Sequence, residues 1–242
     1  MPSFAVISDV HANLEALEAV LRDIDKRGVE EIHFTGDVVG YGPDPERCIH
    51  LVQENCSIRV AGNHDWAVLG LTPVYYFNDN ARAAVEWTMG VLTETEMDIL
   101  RGYEIIGRSA RLNAVFVHGS PDSPDAWEYV LSVYDAERGL RAIDERFCFI
   151  GHSHVPFVIE KVGMEEPVIK GVVADIREGA RYMINSGSVG QPRDGDPRAA
   201  YLLFSDERLE IIRVEYPVSM TQAKMEKLGL PYPLIIRLAE GR

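Results

Sequence analysis

Short apolar runs alternate with polar punctuation along the first part of the chain. Residues 3–8 (SFAVIS) have the length and composition of a buried strand. Asn13 stands where a helix cap is wanted, ahead of Leu14, Leu17, Leu21 and Ile24 at helical spacing, and Gly28 supplies the stop. Residues 31–35 (EIHFT) predict a second strand, 45–55 a second helix with Asp44 as its cap, and 57–61 (SIRVA) a third strand. Strands alternating with helices predict a parallel sheet with right-handed crossovers.

From 66 to 103 the pattern is helical. Ala81, Ala84, Val85, Thr88 and Leu92 make one face, and a second short helix is predicted over 95–102. Strands return at 112–117 (LNAVFV) and 147–150 (FCFI), around a helix near 135–144. Past residue 154, strands are predicted at 155–162, 168–173, 181–184, 199–204 and 208–216. Their connections are too short for helical crossovers, so this half is expected to be antiparallel. A helix over 219–228 and a tail at 233–238 close the chain. The expected arrangement is one α/β domain over 1–242, two stacked sheets with helices outside. Residues 66–103 form a helical cover and 217–242 a C-terminal helix and tail.

Composition narrows the function classes. The chain has 242 residues, 46% hydrophobic and 26% charged, which excludes disordered and fibrous classes. Lys plus Arg total 24 against 38 Asp plus Glu, a formal charge of −14. Such a surface repels long nucleic acid and anionic membrane, while a bound cation can reverse the sign locally. Cys48, Cys56 and Cys148 show no metal or disulfide spacing and fit a reducing compartment. No apolar run approaches the roughly 20 residues of a membrane span. Residues 1–3 carry no basic stretch, and Asp9 and His11 interrupt the apolar run a leader needs, so a cytoplasmic location is expected. Nothing in the pattern sets an oligomeric state.

The chemistry-bearing residues sit just past predicted strand ends. Asp9-x-His11 follows the first strand, Gly36-Asp37 the second and Gly62-Asn63-His64-Asp65 the third. His118-Gly119 and Gly151-His152-Ser153-His154 follow the strands ending at Val117 and Ile150. Ligands of open α/β sheets bind at the carboxyl ends of strands, so these loops are expected to converge. They hold five of the 7 histidines; His33 and His50 read as ordinary strand and helix residues. Two carboxylates, four of those histidines and an amide oxygen make a mixed oxygen and nitrogen donor set. It suits Mn²⁺, Fe, Zn²⁺, Co²⁺ or Ni²⁺ better than Ca²⁺. Seven donors exceed the needs of one ion, so two ions sharing a carboxylate are expected, a pairing used to clamp both oxygens in phosphoryl transfer. The glycines before Asp37, Asn63 and His152 are expected to let the backbone turn out of the strands.

These blocks, in this order from Asp9 to His154, resemble the calcineurin-like metallophosphoesterases. The resemblance extends to residues 185–193 (NSGSVGQPR), 225–230 (MEKLGL) and Arg237-Leu238, similar to the small prokaryotic phosphodiesterase branch. It implies a four-layer α/β/β/α sandwich of two mixed sheets flanked by helices. It assigns Asp9, His11, Asp37 and His154 to one divalent ion and Asp37, Asn63, His118 and His152 to a second, with Asp37 bridging. Mn²⁺ leads, with Fe, Ni²⁺, Zn²⁺, Co²⁺ or Mg²⁺ as alternatives. The implied nucleophile is a metal-bound hydroxide, and His64 serves as acid or charge stabiliser rather than ligand. Asp65 either orients His64 or caps the helix that follows.

The substrate is expected to be a small phosphorylated molecule, a phosphodiester or a nucleotide-derived ester. Alternatives are dinucleoside polyphosphates, or a phosphomonoester or phosphoprotein. The last is disfavoured: protein phosphatases of the superfamily carry arginines where this chain has residues 38–42 (VVGYG) and 65–67 (DWA). A non-catalytic scaffold is the remaining alternative, against which the full ligand set and His64 speak. Asn63, Tyr41 and Arg193 are the candidate substrate contacts. Tyr41 either reaches the cleft or packs on Pro43. Arg193 and Arg198 either face phosphate or pair with Asp194 and Asp196 on the surface. The aromatic residues 75–77 and Trp127 and Tyr129 either stack a nucleobase or pack the cover onto the sheet.

Overall fold

A computed structural model describes residues 3–242; Met1 and Pro2, part of the start read for a leader, lie outside the described residues. The predicted alternation is present: β1 (Phe4–Ile7), α1 (Leu14–Lys26), β2 (Ile32–Thr35), α2 (Pro45–Asn55) and β3 (Cys56–Val60). Asn13 caps α1 by accepting from the Ala16 N–H at 3.2 Å, and Gly28 leaves the helix at φ 69°. Asp44 makes no capping bond to α2; its carboxylate accepts instead from Lys224 at 2.8 Å.

The cover is less continuous than its pattern. α3 (Asn63–Val68) is short, a 3₁₀ turn at Val74–Tyr76 follows Pro73, and only then come α4 (Asp79–Val91) and α5 (Glu94–Arg101). β4 (Ile106–Ser109), unforeseen in sequence, pairs antiparallel with β5 (Ala114–Val117). It is a partly exposed strand with one large apolar residue, so backbone pairing rather than an apolar run specifies it. α6 (Val133–Arg141) and β6 (Phe147–Ile150) follow.

The second half comprises β7 (Phe157–Val162), β8 (Val168–Gly171), β9 (Val173–Asp175), β10 (Ala180–Asn185), β11 (Ala199–Ser205), β12 (Arg208–Val214), α7 (Val218–Lys227) and α8 (Tyr232–Glu240). The run predicted as one strand over 168–173 is two strands in different sheets, divided after Gly171 at φ 84°. The predicted tail is α8, opened by Pro233 in its first turn and burying Leu234, Ile235 and Leu238.

Two six-stranded mixed sheets result, ordered β3-β2-β1-β11-β12-β9 and β4-β5-β6-β10-β7-β8. β1, β2 and β3 run parallel, as do β5, β6 and β10, and the remaining pairs are antiparallel. Phe4, Val6, Phe116, Phe149, Ile184, Leu202 and Phe204 fill the space between the sheets. α1, α2 and α5 cover the outer face of the first sheet, and α6 covers the second. The four-layer sandwich is therefore the observed architecture. No helix among the described residues is long and apolar enough to cross a membrane. A fourth cluster joins Tyr41, Ala81 and Ala84 to Met225, Leu234, Ile235 and Leu238, so α8 packs beside the cover and not against a sheet.

Candidate metal centre

The loops after β1, β2, β3, β5 and β6 meet at one end of the sandwich. Their backbone is unusual. Asp9, His11, Asp37, His152 and His154 all adopt positive φ, between 47° and 68°. Such conformations cost about 1–3 kcal/mol each in non-glycine residues and concentrate at functional sites. Neighbouring packing holds them. The Ser188 hydroxyl donates to the Asp9 carbonyl at 2.8 Å, and the Asn185 amide donates to the Gly151 carbonyl at 2.6 Å. The loop of residues 185–188 (NSGS) thus braces the turns that carry Asp9 and His152.

The glycines in the motifs act through closeness more than through turning. A Cβ on Gly62 would lie 2.0 Å from Asp37 Oδ1, and one on Gly151 would lie 1.9 Å from Ser8 Oγ. Neither residue has positive φ; of the three motif glycines only Gly36 does. The missing side chains let the loop after β3 close on Asp37 and the loop after β6, from the other sheet, close on Ser8 and Asp9.

Four donor groups among the described residues are close enough to hold a metal ion: Glu46, His50 and Glu96 lie apart, one group joins His64 to His11 and Asp37, and two buried clusters are made wholly of the predicted ligands. Asp9, His11 and His154 make one; Asp37, His118 and His152 make the other. His11 Nδ1 donates to the Val39 carbonyl at 3.0 Å and His154 Nδ1 to the Gln191 carbonyl at 2.5 Å. Each neutral ring then turns an Nε2 lone pair inward, and the two Nε2 atoms lie 3.0 Å apart. Asp9 Oδ1 is 3.3 Å from His154 Nε2. In the second cluster His118 Nδ1 donates to the Thr35 carbonyl at 2.8 Å. Its Nε2 faces Asn63 Oδ1 at 3.2 Å, His152 Nδ1 at 3.1 Å and Asp37 Oδ2 at 3.2 Å. Asp37 Oδ2 is also 3.6 Å from His11 Nε2, so this carboxylate lies between the clusters.

Electrostatics agree with a cation site. Burial pushes His11 well below its usual pKa and His152 down to about 3, and it lowers His154 as well. Neutral imidazoles are the form that binds metal. Burial opposes charge on His118 too, but Asp37 and Asp9 outweigh it and raise its pKa to about 9. That proton answers the same excess negative charge that a metal ion would answer. Converging lone pairs and buried carboxylates fit a divalent metal.

His64 and Asp65 are placed differently from one sequence expectation. Asp65 does not orient His64. Its carboxylate accepts from four backbone N–H groups: Gly62 and Asp37 at 2.9 Å, Val38 at 3.0 Å and Val39 at 3.2 Å. It caps the first turn of α3 and ties that turn to the Asp37 loop. Burial and the adjacent Asp37 carboxylate push its pKa up, against the pull of the amides. His64 is held by aromatic rings instead, with Tyr41 at 4.5 Å and Phe77 at 4.8 Å between centroids. Burial pushes its pKa down to about 4. Phe77 had been grouped only with the aromatic cover, and no periodicity marks it as a neighbour of His64.

The candidate substrate residues line a cavity of about 780 Å³ above the clusters, among them Tyr41, Asn63, His64, Arg193 and Tyr129. Tyr41 reaches the cleft: its ring lies 4.5 Å from His11 and its hydroxyl accepts from Arg193 at 3.3 Å. Arg193 faces the cavity, while Arg198 pairs with Asp196 on the surface, so the two arginines part company. Tyr129 stacks on His152 at 3.9 Å, and Trp127 meets Trp66 edge-on at 5.3 Å. Gln191 and Arg237, which the sequence marks only through the resemblance and without a role, join Arg193 here: both arginines donate to Gln191 Oε1. His33 and His50 stay outside the centre, as expected: His33 is buried in β2 and His50 bonds Glu96 on α5.

The domain model described as the calcineurin-like phosphoesterase superfamily domain matches residues 3–208. An uncharacterised protein of Methanocaldococcus jannaschii is 39% identical over 98% of both chains. The crystal structure of a metallophosphoesterase from Sphaerobacter thermophilus is 42% identical, with a TM-score of 0.86 over 100% of this chain and 99% of that one. A hypothetical protein of Pyrococcus horikoshii OT3 has the same fold, with a TM-score of 0.80 at 19% identity, and covers 100% of this chain and 99% of its own. Sequence and architecture thus agree along nearly the whole length, and the chain belongs to the calcineurin-like phosphoesterase superfamily.

Proposed function

We propose that this metal-dependent phosphoesterase uses two divalent ions, Mn²⁺ first among them, to hydrolyse small phosphodiesters or nucleotide-derived phosphate esters. The observation that carries the two-ion reading is the position of Asp37, whose Oδ2 lies within 3.6 Å of His11 Nε2 and 3.2 Å of His118 Nε2. Asp9, His11 and His154 would complete one ligand set, and Asn63, His118 and His152 the other. Bound there, the ions would supply Lewis acidity at the phosphoryl oxygens and an activated water.

The chain's own residues account for the remaining needs. His64, fixed between Tyr41 and Phe77, would donate a hydrogen bond from its neutral ring to the phosphoryl group, or, once it has taken up a proton, pass that proton to the leaving oxygen. Asn63 and His64 open α3 and line the cavity, and the His64 N–H donates to Asp37 Oδ1 at 2.9 Å, which fixes that turn on the Asp37 loop. Trp66, Tyr76, Trp127 and Tyr129 line the same cavity, which favours substrates with a flat apolar group such as a nucleobase. That wall keeps dinucleoside polyphosphates as the second reading. The formal charge of −14 disfavours long nucleic acid as a substrate. All three cysteines are buried and unpaired, which supports a reducing, cytoplasmic setting.

The test is a substrate panel on metal-stripped protein restored separately with Mn²⁺, Ni²⁺, Mg²⁺ and Zn²⁺. Diester hydrolysis that returns with metal and saturates at two ions per chain is expected. Saturation at one ion, or turnover without metal, would overturn the reading.

A further inference from the structure

Two guanidinium groups share one neutral acceptor beside the metal ligands. Gln191 Oε1 accepts from Arg193 at 2.9 Å and from Arg237 at 3.4 Å. Gln191 is 1% exposed and its own amide nitrogen has no partner. Neither arginine has a carboxylate partner among the described residues. The nearby acids are taken, Asp194 by Arg213 and Asp196 by Arg198. The Nε atoms of Arg193 and Arg237 are both buried and unpartnered. In a chain with formal charge −14, two adjacent cations without a counter-ion call for an explanation.

Like charges repel, and partial burial strengthens the repulsion. Burial and the charge on Arg193 both pull the Arg237 pKa down, yet a guanidinium keeps its proton in proteins. The arrangement is held from outside the pair. Arg237 projects from α8, whose Leu234, Ile235 and Leu238 are buried with Tyr41 and Ala84. Arg193 lies over the Tyr41 ring at 5.6 Å and donates to its hydroxyl. The Tyr41 ring is in turn 4.5 Å from both His11 and His64. Both arginines line the cavity above the metal ligands. An anion bound between them would therefore lie in the same cavity as Asn63, His64 and His152, with the Tyr41 ring between it and His11.

We infer that Arg193 and Arg237 form a subsite for a second phosphate, and that the substrates are molecules with two or more linked phosphate groups, such as nucleoside polyphosphates. This rests on the phosphoesterase reading of the same cavity. Guanidinium forks recognise phosphate oxygens bidentately, and the terminal nitrogens not spent on Gln191 and Tyr41 are the donors required. Gln191 fixes the spacing of the two forks through its shared oxygen.

Calorimetry on the metal-stripped full chain with pyrophosphate as the probe tests the subsite without catalysis. Arg193→Gln and Arg237→Gln should each weaken pyrophosphate binding about tenfold or more, the loss expected for one charge-assisted contact. Arg198→Gln, on the surface with Asp196, should leave binding unchanged. With Mn²⁺ restored, the ratio of kcat/KM for ADP to that for bis(p-nitrophenyl) phosphate should fall about tenfold in both cavity variants. Equal pyrophosphate binding by wild type and the cavity variants, with an unchanged substrate ratio, would overturn the subsite while leaving diester hydrolysis intact. Loss of pyrophosphate binding in both variants, in a protein that hydrolyses neither ester with any metal, would support the subsite and sink the phosphoesterase reading instead.

Discussion

The Nε2 atoms of His11 and His154 face each other at 3.0 Å while each ring gives its Nδ1 proton to a backbone carbonyl. His11 follows a strand of one sheet and His154 a strand of the other. Two neutral lone pairs at this distance repel unless a cation stands between or beside them. A cation held there would turn this contact into a link between the two sheets and couple stability to metal occupancy.

That coupling is measurable. Mn²⁺-loaded protein should unfold at higher temperature than metal-stripped protein, with a gain of about 2.7 kcal/mol for each site whose Kd the free metal exceeds 100-fold. Elemental analysis should find two ions per chain in the wild type and less than one in Asp37→Asn, which removes the shared charge. His154→Ala should lose mainly one ion. Two retained ions in Asp37→Asn would remove the bridge from the assignment.

His64 is predicted to separate metal binding from turnover. His64→Ala should keep its ions and lose turnover by roughly 10²–10⁴-fold, the range for a general acid. The loss should shrink for nitrophenyl esters, whose leaving group needs little protonation. Phe77→Ala should lower kcat more than it raises KM, because Phe77 positions the His64 ring. An equal loss for His64→Ala on activated and unactivated esters would point to charge stabilisation instead.

Asp65→Asn distinguishes a backbone clamp from a histidine orienter. An amide NH₂ in place of one carboxylate oxygen would face two N–H donors, from Gly62 and Asp37 or from Val38 and Val39. The variant should be less stable by at least about 2 kcal/mol and bind metal more weakly, since the Asp37 loop loses its anchor. Chemical denaturation and metal titration read both effects. Unchanged stability with reduced turnover alone would restore the orienting role.

His33 provides a pH test away from the metal centre. It lies among Phe4 and Phe116, and burial pushes its pKa down to about 4 from 6.5, against the opposing pull of Glu31. Between these values the unfolded chain binds more protons than the folded one, so stability falls as pH drops from 6.5 towards 4 and levels off below. His33→Phe should abolish that part. The stability difference between the two proteins, both metal-stripped, should change by about 3 kcal/mol across this window. A difference independent of pH would show that His33 is not charged on unfolding.

The sequence by itself determined the parts of this protein that depend on near neighbours. β1, β2 and α2 follow from apolar runs, helical spacing and turn residues, and the predicted span of α2 matches its observed ends. The candidate ligand residues were legible because each block stands directly after a strand, and parallel strands deliver their ends to one edge. Tertiary structure decided what depends on distant approach. β4 exists because β5 offers it hydrogen bonds, and residues 168–173 divide between sheets because Gly171 turns the chain. Asp65 clamps amides 26 to 28 positions upstream, a partner set no local pattern encodes. Arg237 meets Gln191 across 46 positions only because the residues read as a tail form α8 and dock on Tyr41. Spacing along the chain specifies helices, strands and turns through short-range sterics and periodic burial, whereas the pairing of charges and lone pairs across elements is set only when the sheets pack.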